Sequence, residues 1–272
     1  MGIHVFGADE ELLCDPYLRT RIWRPFVGLP SDPGLPTETW ASIGHHASEA
    51  GDETYANLAR NVAECLRAAD IRLRDLSDGY ESQLLSALNA ETQSGVRFDN
   101  LPLKDLHLAI HSLVAEMGAA RDYLAAIVGM HLGAPEKYNS LAWLLPWLKA
   151  KAREAECATP IAVTLLEGVD ESSGDAWLSR LSAYRNLFLH RGPMGSRDIK
   201  QGPHLVELAS VHGLIRTFKM PLPRNADCEP ERDALEEFVA LHRALFDLAA
   251  RLASMARYGM TPRIVARADV AE

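Results

Sequence analysis

Apolar residues recur every third or fourth position over much of the chain, which is the spacing of one face of an α-helix. One long series predicts an amphipathic helix from about residue 58 to residue 88, and Gly79 marks a point where it could kink. A second series predicts another long helix that stops near Gly133 and Pro135. The positions are Leu58, Val62, Cys65, Ala69, Leu73, Leu76, Tyr80, Leu84 and Leu88, then Leu106, Ile110, Leu113, Met117, Ala120, Leu124, Ile127 and His131.

Three shorter apolar segments follow. The stretch NSLAWLLPWLKAKA predicts a helix or a pair of helices around Pro146, because proline kinks a helix interior. The next helix is predicted from about Ser173 to His190, where the glycine and proline of HRGPMG end it. The last begins behind EPERD and continues to Leu252, before Gly259.

The remaining segments lack helical spacing. Residues 1–50 contain the loop-like GLPSDPGLPTETW and predict an irregular N-terminal arm. Residues 204–221 are rich in β-branched and large apolar residues around His212 and Gly213, so they predict a small β-hairpin. The expected fold is therefore mainly α: an up-and-down helical bundle over residues 51–259, with the hairpin inserted before its last helix. Residues 260–272 are expected to form a flexible tail.

Composition places the chain among ordinary globular proteins. It has 272 residues, of which 47% are hydrophobic and 24% are charged. No apolar run is long enough to span a membrane and no signal peptide is recognised, so the cytoplasm is the expected location. The four cysteines are scattered, and none is paired with a cysteine or histidine at metal-ligand spacing. We therefore expect neither a disulfide framework nor a bound metal.

Charge is distributed unevenly. A net charge of −9 argues against broad, nonspecific binding to nucleic acid, which needs a basic surface. Residues 180–200 nevertheless carry five basic side chains against one acid, and a smaller basic run, LRTRIWRPF, lies near the N-terminus. The smaller run is best interpreted as a solvated loop. For the larger one, a local anion site is a competing interpretation.

Within the larger basic run, AYRNLFLHRGPMG places three polar residues at the end of an apolar helix. A helical wheel puts Asn186 and His190 one turn apart on one face. Arg185, in contrast, lies on the wheel within or at the edge of the apolar arc, beside Leu178 and Leu181. A guanidinium cannot stay dry without partners, so Arg185 should reach solvent or meet an anion or acceptors at a packed surface.

The motif Arg185-Asn186-x3-His190, late in an α-helical bundle and just before a helix end, resembles that of the HEPN superfamily. That motif is Arg-x4-6-His, commonly with a polar residue directly after the arginine. The specific similarity covers residues 184–192, and the order of helices supports it more loosely over residues 53–258. The resemblance implies a homodimer in which two motifs face each other and form a metal-independent endoribonuclease. It further implies RNA as the substrate, a role as a bacterial toxin or antiphage effector, and an antitoxin or regulatory partner.

The residue types suit this chemistry. Cleavage by a 2'-hydroxyl that attacks its own phosphate needs a proton acceptor near neutral pH, the role expected for His190. Arg185 would bind the dianionic transition state, and Asn186 would orient the histidine or the phosphate. Arg180 and Arg191 are candidates for substrate binding. No cofactor is required.

Each residue also has an ordinary structural interpretation. His190 could interact with the helix C-terminus, Arg185 could pair with a carboxylate of a neighbouring helix, and Asn186 could have no role. Arg180 and Arg191 could be solvated.

Other candidate residues are better explained by structure than by chemistry. His131 and His242 lie on apolar stripes and are predicted to be core residues. The adjacent His45 and His46 are assigned to a loop. Trp143 and Trp147 are predicted to lie in the core rather than to stack on bases.

Two other function classes remain open. One is a non-catalytic HEPN-like module that binds nucleotide, RNA or protein, which the overall acidity mildly favours. The other is a helical interaction protein in which the motif is coincidental. The intact motif favours the enzyme.

Overall fold

The computed structural model describes residues 35–170, 176–190, 202–210, 213–222 and 232–261. The fold is mainly α with a two-stranded antiparallel hairpin before the last helix, which confirms the predicted fold class. In chain order the elements are α1 (Pro36–Glu49), α2 (Glu53–Asn89), α3 (Leu103–His131), α4 (Leu141–Leu148), a 3-10 turn (Lys151–Arg153), α5 (Glu154–Cys157), α6 (Pro160–Glu167), α7 (Trp177–His190), β1 (His204–Ser210), β2 (Gly213–Lys219) and α8 (Ala234–Ala253).

Part of the predicted irregular arm is helical. Helix α1 begins at Pro36, which occupies the first turn, where a missing N–H costs no hydrogen bond. Trp40 of α1 is fully buried, and its indole Nε1 donates to the carbonyl of Ala249 at 3.0 Å. The prediction of an irregular arm is therefore wrong for residues 36–49, and residues 1–34 lie outside the described residues.

Helix α1 also corrects the assignment of the adjacent histidines to a loop. His45 and His46 lie near the C-terminal end of this helix. Each has a ring nitrogen within 3.5 Å of a carboxylate oxygen of Glu49.

Helix α2 is assigned as one continuous helix through Gly79. A Cβ atom at this position would lie only 2.5 Å from Cδ1 of Leu106 in α3. The glycine thus allows two helices to approach closely, which accounts for it without a kink.

Helix α3 ends as its sequence predicts. Gly133 follows with φ of 69°, the left-handed conformation that glycine adopts at low cost after a helix end. Helix α4 contains Pro146 in its interior. Helix α6 was not predicted: its eight residues are too few to show a periodic pattern, although Pro160 marks its first turn.

The hairpin matches the prediction. Its strands pair in register from His204 opposite Lys219 to Ser210 opposite Gly213. Leu205 and Phe218, which face each other in this register, are both buried. The residues between the strands, 211 and 212, lie outside the described part of the chain.

A buried carboxylate connects the hairpin exit to α8. Asp233 precedes the helix, and its Oδ1 accepts from the backbone N–H groups of Leu235 at 3.0 Å and Glu236 at 3.2 Å. Its Oδ2 accepts from Met220 N–H at 2.9 Å and from the Tyr80 hydroxyl at 3.3 Å. The Asp233 side chain therefore caps the N-terminus of α8 and also binds the backbone of Met220, the residue that follows β2.

Burial raises the pKa of Asp233 to about 6, although hydrogen bonds from Met220 and Glu236 act in the opposite direction. Because the folded-state pKa lies above the ordinary value, this contribution to stability is complete below about pH 4 and is lost as the pH rises through about 6. The free energy of unfolding of the wild type, measured against Asp233→Asn, should fall by up to about 3 kcal/mol between pH 4 and pH 7. Urea unfolding at several pH values measures this difference, and a constant difference would contradict the assignment.

The described residues form two compact units. The first includes residues 68–116 and 180–243, and the second includes residues 35–67, 117–179 and 244–261. Large side chains at the core of the first are Leu73, Leu76, Tyr80, Ile110, Leu113, Phe218 and Phe238. Those of the second include Trp40, Ile43, Tyr55, Leu66 and Met117. No helix within the described ranges is long and apolar enough to cross a membrane.

Candidate functional site

The predicted trio lies on the last two turns of α7, which is helical from Trp177 to His190. Arg185 is half-buried and its Nε atom is fully buried, which agrees with the expected position at the edge of the apolar arc. Asn186 is exposed. His190 is the last residue of the helix, and its side chain lies outside the described atoms, as does Arg191. His190 lies four positions after Asn186, an axial rise of about 6 Å along the helix.

The apolar side of α7 is packed as the wheel predicts. Leu178, Leu181 and Phe188 are buried. The rings of Tyr184 and Phe188 stack at 6.1 Å between centroids, and both contact Phe238 of α8. This aromatic contact holds the half of α7 that carries the trio.

Arg180, a predicted substrate-binding residue, takes part in an ion-pair network. Its Nε donates to Oε1 of Glu237 at 2.9 Å, and Arg232 Nη1 donates to Oε2 of the same carboxylate at 2.8 Å. The Glu237 side chain is only 5% exposed, so the two guanidinium groups compensate a carboxylate that is largely removed from water. The network attaches α7 to the first turn of α8, which gives Arg180 a structural role beside the predicted one.

Replacing Glu237 with alanine should lower the free energy of unfolding by about 1–2 kcal/mol. The expected loss is moderate because Arg180 and Arg232 remain partly exposed and can turn to water. Glu236→Ala is the matched control, since Glu236 is the neighbouring residue and is 73% exposed. Urea unfolding that finds equal stability for both variants would contradict a stabilising role for the network.

Two other histidines have clear partners. His242 is buried as predicted, and its Nε2 lies 2.7 Å from Oδ1 of Asp70, which is also buried. His131 is only half-buried, because it is the last residue of α3, and its Nε2 lies 3.0 Å from the Tyr55 hydroxyl. Burial lowers the pKa of His131, and nearby Arg257 lowers it further. The prediction of a core position is therefore confirmed for His242 and wrong for His131.

The two α4 tryptophans also differ. Trp147 is 8% exposed, as expected for the core, whereas Trp143 is 64% exposed, so the core prediction is wrong for it. Helix α4 is short and directs Leu141, Leu144 and Leu148 inward, which leaves Trp143 on its outer side. The sequence did contain an indication that this segment has an exposed side: residues 137–153 have four basic residues and no acid in a chain with net charge −9.

An open cavity of about 410 Å³ lies near this stretch. It is lined by residues of α2, α3 and the segment between α3 and α4, including Asn57, Asn61, Glu136, Tyr138 and Asn139. The sequence did not indicate this cavity, because Asn57 and Asn61 of α2 are far from Asn139 in the sequence and line the same cavity only in the folded chain.

The described residues contain no group of three or more His, Cys, Asp or Glu side chains placed to hold a metal ion. Cys65 and Cys157 form no disulfide bond, and the Sγ of Cys157 donates to the carbonyl of Leu148. The other two cysteines, Cys14 and Cys228, lie outside the described residues. No protein-family model, curated protein or solved structure matches the chain.

Proposed function

We propose that this chain is a metal-independent endoribonuclease whose active site combines Arg185, Asn186 and His190 from two copies. The observation that carries the proposal is the placement of all three on the last two turns of one helix, with the Arg185 side chain partly buried and Asn186 exposed. The resemblance to HEPN ribonucleases supplies the proposed reaction. The packing of α7 on α8 supports the helix that carries the three residues.

In the proposed reaction, a ribose 2'-hydroxyl attacks the adjacent phosphate and displaces the 5'-oxygen. His190 of one copy removes the 2'-hydroxyl proton, and His190 of the other protonates the leaving oxygen. Arg185 donates two hydrogen bonds to the phosphate oxygens as negative charge builds up on them. Asn186 orients the histidine or the phosphate. The products are a 2',3'-cyclic phosphate and a 5'-hydroxyl.

The position of Arg185 favours a site at a protein–protein surface. Its Nε is buried although the side chain as a whole is half-buried, so part of the guanidinium lies against the protein. A second copy that packs on this face of α7 would bring two cationic groups and two histidines around one phosphate. Each copy contributes one histidine to this proposed site, so the acid and the base come from different copies.

The biological role that fits such an activity is a cytoplasmic toxin or antiphage effector, restrained by an antitoxin or a regulatory ligand. RNA cleavage inside a cell is harmful unless it is controlled. Induced expression should therefore arrest growth in a manner that depends on His190.

The direct test is incubation of purified protein with mixed RNA in EDTA, beside Arg185→Ala and the control Arg243→Ala, an exposed arginine of α8. Wild type and Arg243→Ala should release fragments with 2',3'-cyclic phosphate ends, and Arg185→Ala should be slower by about 10²–10³-fold. Equal background from all three proteins would exclude the ribonuclease. RNA binding without cleavage would support a non-catalytic module instead.

A further inference from the structure

A second surface of this protein contains an exposed aromatic ring and several basic side chains. Trp143 presents its large apolar side chain to solvent, at 64% exposure. One exposed apolar residue carries little by itself, because such residues are common on protein surfaces. The basic residues near Trp143 in the sequence, the ring contacts of Tyr138 and Trp147, and the cavity lined by Tyr138 and Asn139 indicate what this surface could bind.

The stretch from residue 137 to residue 153 contains four basic residues and no acid. Lys137 and Lys149 are exposed, whereas Arg153 Nη1 donates to Oε1 of Glu156 at 2.8 Å, so the charge of Arg153 is already partly compensated. Lys137 Nζ lies 5.0 Å from the ring centroid of Tyr138, and the Arg153 guanidinium carbon lies 4.7 Å from the Trp147 ring centroid. Cations that already stand beside aromatic rings are suited to a ligand that is both anionic and aromatic.

The cavity of about 410 Å³ shares one residue, Tyr138, with these ring contacts. Tyr138 lines it and also contacts the Trp147 ring, at 5.9 Å between centroids. The amides of Asn57, Asn61 and Asn139 can each donate and accept hydrogen bonds, as the edges of nucleobases require. Glu136 on the cavity wall disfavours a phosphate inside it and favours an uncharged group. We name Lys137, Tyr138, Trp143, Lys149 and Arg153, with this cavity, the aromatic-basic surface.

We propose that the aromatic-basic surface binds single-stranded RNA. One base enters the cavity between Asn61 and Asn139, a second stacks on Trp143, and Lys137 and Lys149 contact the phosphates. The choice of RNA among nucleic acids rests on the proposed ribonuclease function. The surface would supply substrate affinity that an otherwise acidic protein lacks.

An anionic membrane is the strongest competing partner, since tryptophan and lysine also occur at lipid headgroups. Two observations favour RNA. Helix α4 directs Leu141, Leu144 and Leu148 inward, so it lacks the wide exposed apolar face of an interfacial helix. The amide-lined cavity also offers polar contacts that acyl chains would leave unsatisfied.

The test uses the full chain carrying His190→Ala and a fluorescent RNA dodecamer whose riboses are all 2'-O-methylated. This RNA has no 2'-hydroxyl nucleophile, so fluorescence anisotropy measures binding without cleavage. Trp143→Ala should raise the Kd roughly fivefold to hundredfold, the range for losing one stacked base. Lys149→Glu should weaken binding and reduce its salt dependence. Leu108→Ala, a change at a 60% exposed leucine of α3, is the matched control and should bind like the parent.

Three results would overturn the proposal: no binding by the parent, unchanged affinity in both Trp143→Ala and Lys149→Glu, or displacement of the RNA by phosphatidylglycerol vesicles. The test is separable from the ribonuclease function. Binding that depends on Trp143 in a chain that never cleaves RNA would remove the nuclease and keep the surface. Cleavage that requires His190 but is unaffected by Trp143→Ala would support the nuclease and contradict the role of the aromatic-basic surface.

Discussion

Replacing His190 with alanine is expected to slow RNA cleavage by about 10²–10⁴-fold, the usual contribution of a general acid or base. In the proposed site the loss applies twice, because both copies lose their proton-transfer group. Imidazole is the side chain that both gives and takes a proton near neutral pH, so glutamine, which matches its size more closely, should not restore the rate. Single-turnover cleavage of a defined RNA in EDTA measures the effect.

The pH profile gives an independent measure of the same role. A wild-type rate that needs one protonated and one neutral histidine should pass through a maximum near neutral pH. His111→Ala serves as the matched control, since His111 is a half-buried histidine of α3 that has no part in the proposed site. Equal rates for His190→Ala and His111→Ala, with both proteins folded, would exclude His190 from the reaction.

Asp233→Ala should lower the free energy of unfolding by about 3 kcal/mol, more than a hundredfold in the folding equilibrium. The substitution removes an N-cap and leaves the N–H of Met220 without its acceptor inside the protein. Tyr80 loses its acceptor as well. Burial raises the pKa of Tyr80 well above its ordinary value, so this hydroxyl stays protonated and still needs a partner.

Asp247→Ala is the control for this substitution, because Asp247 also belongs to the last helix but is 70% exposed. It should change stability by less than about 0.5 kcal/mol. In addition, Tyr80→Phe and Asp233→Ala should be clearly non-additive, since the two side chains share a hydrogen bond. Additive losses, or equal stability of the two aspartate variants, would contradict the role assigned to Asp233.

The long helices were predictable because their apolar residues repeat over many turns. Helices α2, α3 and α8 bury most of the face that the spacing indicates, from Leu73 and Leu76 to Leu245 and Leu252, although Leu88 at the end of α2 is exposed. Helix α1 was missed because the prolines and glycines before it suggest a loop, and only the position of Pro36 at its first turn makes it compatible with a helix. Helix α6 is too short for a periodic pattern.

Only the part of the candidate site that lies on a single helix, α7, could be predicted from the sequence. The order of Arg185, Asn186 and His190 along α7 follows from their spacing. The partner of Arg180 does not, since Glu237 lies 57 positions away. Exposure of Trp143 likewise depends on which side of α4 faces the interior, and the sequence alone led to the prediction that both Trp143 and Trp147 were buried.

The dependence of activity on a second copy is measured most directly by diluting active subunits with inactive ones. Wild-type and His190→Ala chains are co-expressed at a ratio of one to nine with different tags, and native mass spectrometry verifies random pairing. If each site needs both copies of His190, activity per wild-type subunit should fall to about one tenth, the share of wild-type subunits whose partner is also wild type. Unchanged activity per wild-type subunit would show that one chain suffices and would contradict the composite site.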